Sequence, residues 1–314
     1  MPAEPTLAAL PSPLARYLLA TRPAFLSVTL FGCLVGLAGA LWSGVAIDPP
    51  AALATVIFAM VAHAGINVLN DYYDALNGSD AANTDRIFPF TGGSRFIQNG
   101  VLSLRSTAAF GYALLAAVIP AGLWLTAHSA AGLILIGMAG LAVGWAYSAP
   151  PFKLMSRGLG EIAVTAGWLL VVTGADFVQR GEFSFTPLAA GLGYALLVAN
   201  VLFINQFPDL KADRQAGKLT LVVRLGFARA RWGYAVIAGL AHAWLVLMVV
   251  RGALPAPCLL ASASALPSLK AARVLWRHAQ EPSRLVPGIT ATIAAANLHG
   301  ILLAVALCAA ALAS

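Results

Sequence analysis

Nine apolar runs divide the chain, near residues 24–44, 50–70, 106–127, 130–148, 159–179, 186–207, 231–250, 253–270 and 287–312, and the polar positions gather between them. At 1.5 Å rise per residue, each run is about long enough as a helix to cross roughly 30 Å of hydrocarbon. The eighth is punctuated by Pro255, Pro257 and Pro267, so its helix is expected to be the least regular. Backbone polar groups in a bilayer must be satisfied internally, which for runs of this length predicts helices. The expected fold is all-α: a multi-pass membrane bundle of nine transmembrane helices. Residues 1–15 read as a mobile, proline-containing tail. Residues 16–314 read as one transmembrane domain, with stretches 71–105, 149–158 and 208–230 capping one end.

Composition and charge sharpen this picture. Of 314 residues, 60% are hydrophobic and only 10% charged, against about 25% charged in a soluble domain. With the N-terminus inside, 17 of the 19 basic residues fall on one side, leaving Arg180 and Arg251 on the other. This positive-inside asymmetry places the N-terminus in the cytoplasm and the C-terminus outside. The net charge of +7 lies in short loops without interleaved aromatic residues, which argues against nucleic-acid binding. The run from Phe25 to Trp42 is too long for a usual signal-peptide core, so no leader is expected and the cell inner membrane is the expected location. Cys33, Cys258 and Cys308 all fall inside apolar runs and read as packing residues. His63, His242 and His299 read as interhelical hydrogen-bonding partners, and Asp176 has no evident partner.

The acids are grouped. In NVLNDYYDALNGSD, residues 67–80, Asn67, Asp71 and Asp74 are spaced i, i+4, i+7 and share a helix face. In NQFPDLKAD, Asn205, Asp209 and Asp213 are spaced i, i+4, i+8, again on one face. An even number of helices separates the groups, so both reach the same membrane side, as a weak internal repeat allows. Carboxylates on one face repel each other unless a cation intervenes. Oxygen-only donors without His or Cys suit Mg²⁺, which completes its shell with water and substrate phosphate. Two such groups facing each other would hold a diphosphate through bridging metals, with two ions expected.

The same side carries cations for the other flank of a diphosphate. YSAPPFKLMSRGLGE, residues 147–161, places Lys153 and Arg157 beside a proline corner. TGGSRF, residues 91–96, sets Arg95 next to Gly92 and Gly93, whose backbone N–H groups can approach an anion. Lys218 follows the second acidic group.

Four motifs, the second-span acids, the Asp-x-x-x-Asp of NQFPDLKAD, YSAPPFKL with RGLGE and the tail AGKLTLVVRLG, resemble the UbiA superfamily of intramembrane aromatic prenyltransferases, from about residue 20 to the C-terminus. NVLNDYYDALNGSD followed by GGSRFIQNG is most similar to the menaquinone branch, which prenylates 1,4-dihydroxy-2-naphthoate with decarboxylation. Gly78, where the ubiquinone branch usually has a third aspartate, departs from a 4-hydroxybenzoate pattern; Pro208 is unusual for the naphthoate branch. The resemblance implies Mg²⁺-dependent transfer of a polyprenyl group from an allylic diphosphate to an aromatic acceptor, with the site facing the cytoplasm. It makes Asp71, Asp74, Asp209 and Asp213, with Asn67 and Asn205, the metal set, and Arg95, Lys153, Arg157 and Lys218 the diphosphate cations. Tyr72, Tyr73 and Tyr147 are the nearest aromatic faces for an allylic cation, and Asp80 or Asp85 would orient or deprotonate the acceptor. 4-Hydroxybenzoate, homogentisate or a tetrapyrrole are alternative acceptors. A secondary transporter is the rival class, but its binding groups would lie near the bilayer midplane, whereas these acids lie at one end.

Overall fold

The computed structural model describes residues 3–313, and among them every regular element is helical. The helices are α1 (Pro13–Ala20), α2 (Ser27–Trp42), α3 (Pro49–Asn77), α4 (Ser79–Ala82), α5 (Leu104–His128), α6 (Leu133–Ser148), α7 (Gly160–Arg180), α8 (Thr186–Gln215), α9 (Leu221–Val250), α10 (Ala265–His278) and α11 (Val286–Ala313). Eight helical segments among the described residues are long and apolar enough to cross a membrane. The remaining apolar run forms α6, only 16 residues long, so nine full spans do not follow from helix length. The eighth run also differs from expectation. Pro255 and Pro257 bracket the start of a 3₁₀ stretch, Ala256–Ser264, which passes into α10. The helix then continues to His278, carrying Lys270, Arg273 and Arg277 on helix rather than loop.

α8 is the central helix, buried along most of its length between α2, α7, α9 and α11, while α3 pairs with α5. Lipid tails are as apolar as Leu, so close contact and interhelical hydrogen bonds hold such a bundle together. The Tyr194 hydroxyl on α8 donates to the Val28 carbonyl of α2, and Trp244 Nε1 donates to Ala189 O at 3.0 Å. Ser264 Oγ lies 3.0 Å from both His242 Nε2 and His299 Nδ1, so both histidines are interhelical partners, as expected. Bonds of this kind contribute roughly 0.6–2 kcal/mol each. Asp176, without a partner in the sequence reading, is bound by Arg180 through Nη2 at 2.7 Å and Nε at 2.8 Å.

At the α2–α7 crossing the backbones nearly touch. A Cβ added at Gly36 would lie 2.3 Å from Val172 O and 2.8 Å from Ala175 Cβ. Gly36→Ala is therefore expected to cost about 1–3 kcal/mol through overpacking. Gly239→Ala on α9, where nothing lies within 4 Å, is expected to leave stability unchanged or slightly raised. Thermal unfolding of the two variants in one detergent checks the contrast.

Candidate active site

Both acidic groups sit on helix, in extensions of α3 and α8 beyond their apolar stretches. α3 runs to Asn77 and stops where Gly78 takes φ +82°, a left-handed cap that glycine adopts without strain. α8 continues past Pro208 to Gln215, so Asp209 and Asp213 remain on helix. Between them the chain folds back as α4 and the 83–103 loop. A Cβ at Gly93 would lie 2.2 Å from Asp80 Oδ2, so only glycine lets this loop close over Asp80. Residues near the N-terminus, expected as a tail, lie against the same loop. Glu4 accepts from Arg86 Nε at 2.7 Å and Asn99 Nδ2 at 3.1 Å.

One ammonium joins the two acidic groups. Lys218 Nζ lies 2.8 Å from Asp74 Oδ2 and 3.6 Å from Asp213 Oδ1, and its side chain is only 5% exposed. Burial works against its charge, but Asp74 and Asp213 outweigh burial and hold the lysine pKa above its usual value. Asp74 also accepts from Asn70 Nδ2 at 3.1 Å and Asn77 Nδ2 at 3.1 Å. Asp209 Oδ1 accepts from Asn83 Nδ2 at 2.5 Å, tying the loop to α8. Asp71 is paired with Arg22 and receives the Ser94 N–H at 3.3 Å. Beneath the site, Gln206 donates to Glu161 at 2.5 Å and accepts from Val222 N at 3.1 Å, joining α7, α8 and α9.

These groups form the polar end of a cavity of about 590 Å³. Asn67, Asp74, Asp80, Asn205, Asp209, Asp213 and Lys218 line that end, with Gly92 and Gly93 beside them and Tyr147 on α6. The rest of the wall is apolar, including Phe58 and Ile66 of α3, Leu141 of α6 and Trp168 of α7. His63 also lines it, bonded to Thr29 Oγ1 at 2.8 Å and edge-on to Trp168. Asp80 is buried, and burial, then the charges of Asp74 and Asp71, raise its carboxyl well above the usual range. A carboxylate shifted upward in this way is a stronger base than an ordinary one.

Several expected site residues are not brought to the cavity. Lys153 and Arg157 are exposed outside it, and Arg157 Nη2 donates to Pro151 O at 2.8 Å. Their four-residue spacing depends on a helix, and the chain there makes a corner and a single 3₁₀ turn instead. Arg95 is buried but turned into the loop, donating to Asp80 O at 2.5 Å. Asp85 is paired with Lys211 at 2.7 Å, and Tyr72 packs on Tyr73 away from the cavity. Asp71 stands behind Arg22, which does line the cavity. Arg22 and Asn83 line the cavity without having been expected there. Their partners lie 49 and 126 positions away, and no spacing signals such a pair. Asn70 was findable, one turn before Asp74 on the same face.

Among the described residues no three Asp, Glu, His or Cys side chains close around a common point. The donor set nevertheless fits a hard cation. Asn205 Oδ1, Asp213 Oδ2 and Asn83 Oδ1 are buried oxygens without a hydrogen-bond partner, and all three residues line the cavity's polar end. An open, oxygen-only rim of this kind suits Mg²⁺, which takes few protein carboxylates.

The chain is similar to known proteins in both sequence and fold. The profile described as the UbiA prenyltransferase family matches residues 29–287. The 1,4-dihydroxy-2-naphthoate octaprenyltransferase of Mycobacterium tuberculosis is 30% identical over 268 residues, 83% of this chain and 89% of that protein. The protein of the same description from Escherichia coli is 33% identical over 218 residues, 67% of this chain and 68% of that protein. A UbiA homolog from Archaeoglobus fulgidus bound to GPP and Mg²⁺ shares the fold, with a TM-score of 0.66 at 16% identity over 92% of this chain and 99% of that one.

Lys218→Met leaves Asp74 and Asp213 buried without their shared cation, and removal of one partner of a buried ion pair costs about 3–5 kcal/mol. The variant is expected to unfold at lower temperature than the wild type without metal. Added Mg²⁺ should raise its unfolding temperature by more than it raises that of the wild type, as differential scanning fluorimetry would show.

Proposed function

The chain belongs to the UbiA prenyltransferase family, and on that premise we propose that it transfers a polyprenyl group from an allylic diphosphate to 1,4-dihydroxy-2-naphthoate. The observation that carries this reading is the meeting of Asp74 and Asp213, from two distant motifs, at the polar end of a largely apolar cavity. Such a site suits a substrate with a hydrocarbon tail and an anionic head. The naphthoate acceptor rests on the second-span motif and on the relatives described by that activity.

The rim residues Asp74, Asp209 and Asp213, with the oxygens of Asn67 and Asn205, would hold Mg²⁺. Asp71 joins them only if Arg22 leaves it. Bound there, Mg²⁺ would supply the positive charge that lets a diphosphate depart with the electron pair of the allylic C–O bond. Lys218 and Arg22 are the cations that line the cavity, and they take the diphosphate-binding role expected of Lys153 and Arg157. The apolar walls hold the tail and keep water from the allylic cation. Tyr147 offers an aromatic face near the polar end. The electron-rich ring attacks the cation, and loss of the carboxylate restores aromaticity. Asp80 orients the acceptor or takes its proton, a role that Asp85, paired with Lys211, is not placed to fill. The reading places the polar end at the cytoplasmic face of the inner membrane.

Purified protein is expected to prenylate the naphthoate in preference to 4-hydroxybenzoate or homogentisate, and to stop when Mg²⁺ is chelated. Asp74→Asn and Asp209→Asn should each lower kcat by about 100-fold or more, the scale of losing one preorganised electrostatic contact. Arg157→Gln, outside the cavity, should retain most activity. Product from another ring alone would keep the chemistry and change the acceptor. Activity that survives chelation would reject the metal-dependent reading.

A further inference from the structure

Away from the catalytic cavity, α10 presents a second polar feature. Lys270, Arg273 and Arg277 are spaced i, i+3, i+7 on one face of that helix, and all are exposed. They line a notch of about 250 Å³, with Val274 and His278 between them. None of the three has a carboxylate partner among the described residues. Glu281, the nearest acid in the chain, is taken by Arg284 at 3.0 Å and His278 at 3.1 Å. Three like charges converging without an acid leave a local excess that an anion would relieve.

The surroundings indicate what kind of anion. One turn before Lys270 on the same face is Leu266, 72% exposed, and Leu269 beside it is 52% exposed. The face thus passes from apolar to basic along the helix. Beside it, Trp232 and Trp276 pack edge to face at 4.6 Å, both largely exposed, and the Arg231 guanidinium lies 4.0 Å over the Trp276 ring. Exposed tryptophans mark the headgroup level of a bilayer. Basic pockets at that level on membrane helices recognise lipid phosphates.

We propose that this notch binds the headgroup of an anionic phospholipid, with Lys270, Arg273 and Arg277 on the phosphate and the acyl chains along Leu266 and Leu269. A free phosphate would satisfy the cations but leave the apolar half of the face without a partner.

Native mass spectrometry of the full chain in mild detergent, titrated with phosphatidylglycerol or phosphatidylcholine, tests this. Wild type should retain phosphatidylglycerol in preference. Each basic residue near a charged lipid surface contributes about fivefold, so Lys270→Gln/Arg273→Gln/Arg277→Gln should weaken retention by roughly tenfold to a hundredfold. Arg105→Gln/Lys211→Gln, which removes exposed charge elsewhere, should retain the lipid as the wild type does. If the triple variant does not fold, Lys270→Gln and Arg273→Gln singly should each show a loss of about threefold or more. Equal retention by wild type and the notch variants would overturn the proposal. So would complete displacement of the lipid by millimolar inorganic phosphate.

Discussion

The Lys218 ammonium, held between Asp74 and Asp213, is the interaction on which the organisation of the site depends. Several carboxylates buried at one end of an apolar bundle repel each other, and burial alone would drive them to neutrality. A cation among them keeps α3 and α8 converging in the absence of metal. Arg22 does the same for Asp71, and the Asn83 amide does it for Asp209 without a charge. On the proposed reading, the acids exchange one positive partner for another. That is what a site needs if it takes up a metal–diphosphate complex and releases diphosphate in every turnover.

The remainder of the bundle provides what this polar end cannot. Apolar walls from α3, α6 and α7 enclose a cavity behind the carboxylates, and small residues such as Gly36 bring the helices close enough to seal it. The interhelical bonds His242–Ser264–His299, between α9 and α11, lie away from the cavity, while Tyr194 donates to the carbonyl of Val28 at its wall. Apart from polar ties such as Thr29–His63, the cavity wall is lined by apolar side chains that a hydrocarbon tail can replace as neighbours.

Much of this was legible in the sequence because two physical rules act locally. Length and hydropathy define membrane helices, and the four-residue repeat of Asn67–Asp71 and Asn205–Asp209 shows through any helix long enough to carry it. The helix count was less legible, because α6 is apolar but short, and an apolar run does not state where its helix begins. Where each cation would lie was the least legible, although Lys218 does line the cavity. Lys153 and Arg157 had the right charge on the right stretch, yet the chain there turns a corner and leaves both in solvent. Arg22 and Asn83 act through partners far along the chain, and only tertiary structure brings those together. Asp80 was legible as a candidate, but the burial that separates it from the half-buried Asp85 depends on how the 83–103 loop folds back.

The central claim is that the two acidic motifs act as one site on one diphosphate. It is tested most directly by binding of a non-cleavable allylic diphosphate analogue, measured by calorimetry with and without Mg²⁺, in wild type, Asp74→Asn, Asp209→Asn and the double variant. Motifs that share a ligand couple, so each single change should remove most of the Mg²⁺-dependent affinity and the double variant should bind no more weakly than either. Losses that simply add, or affinity that does not depend on Mg²⁺, would contradict the account.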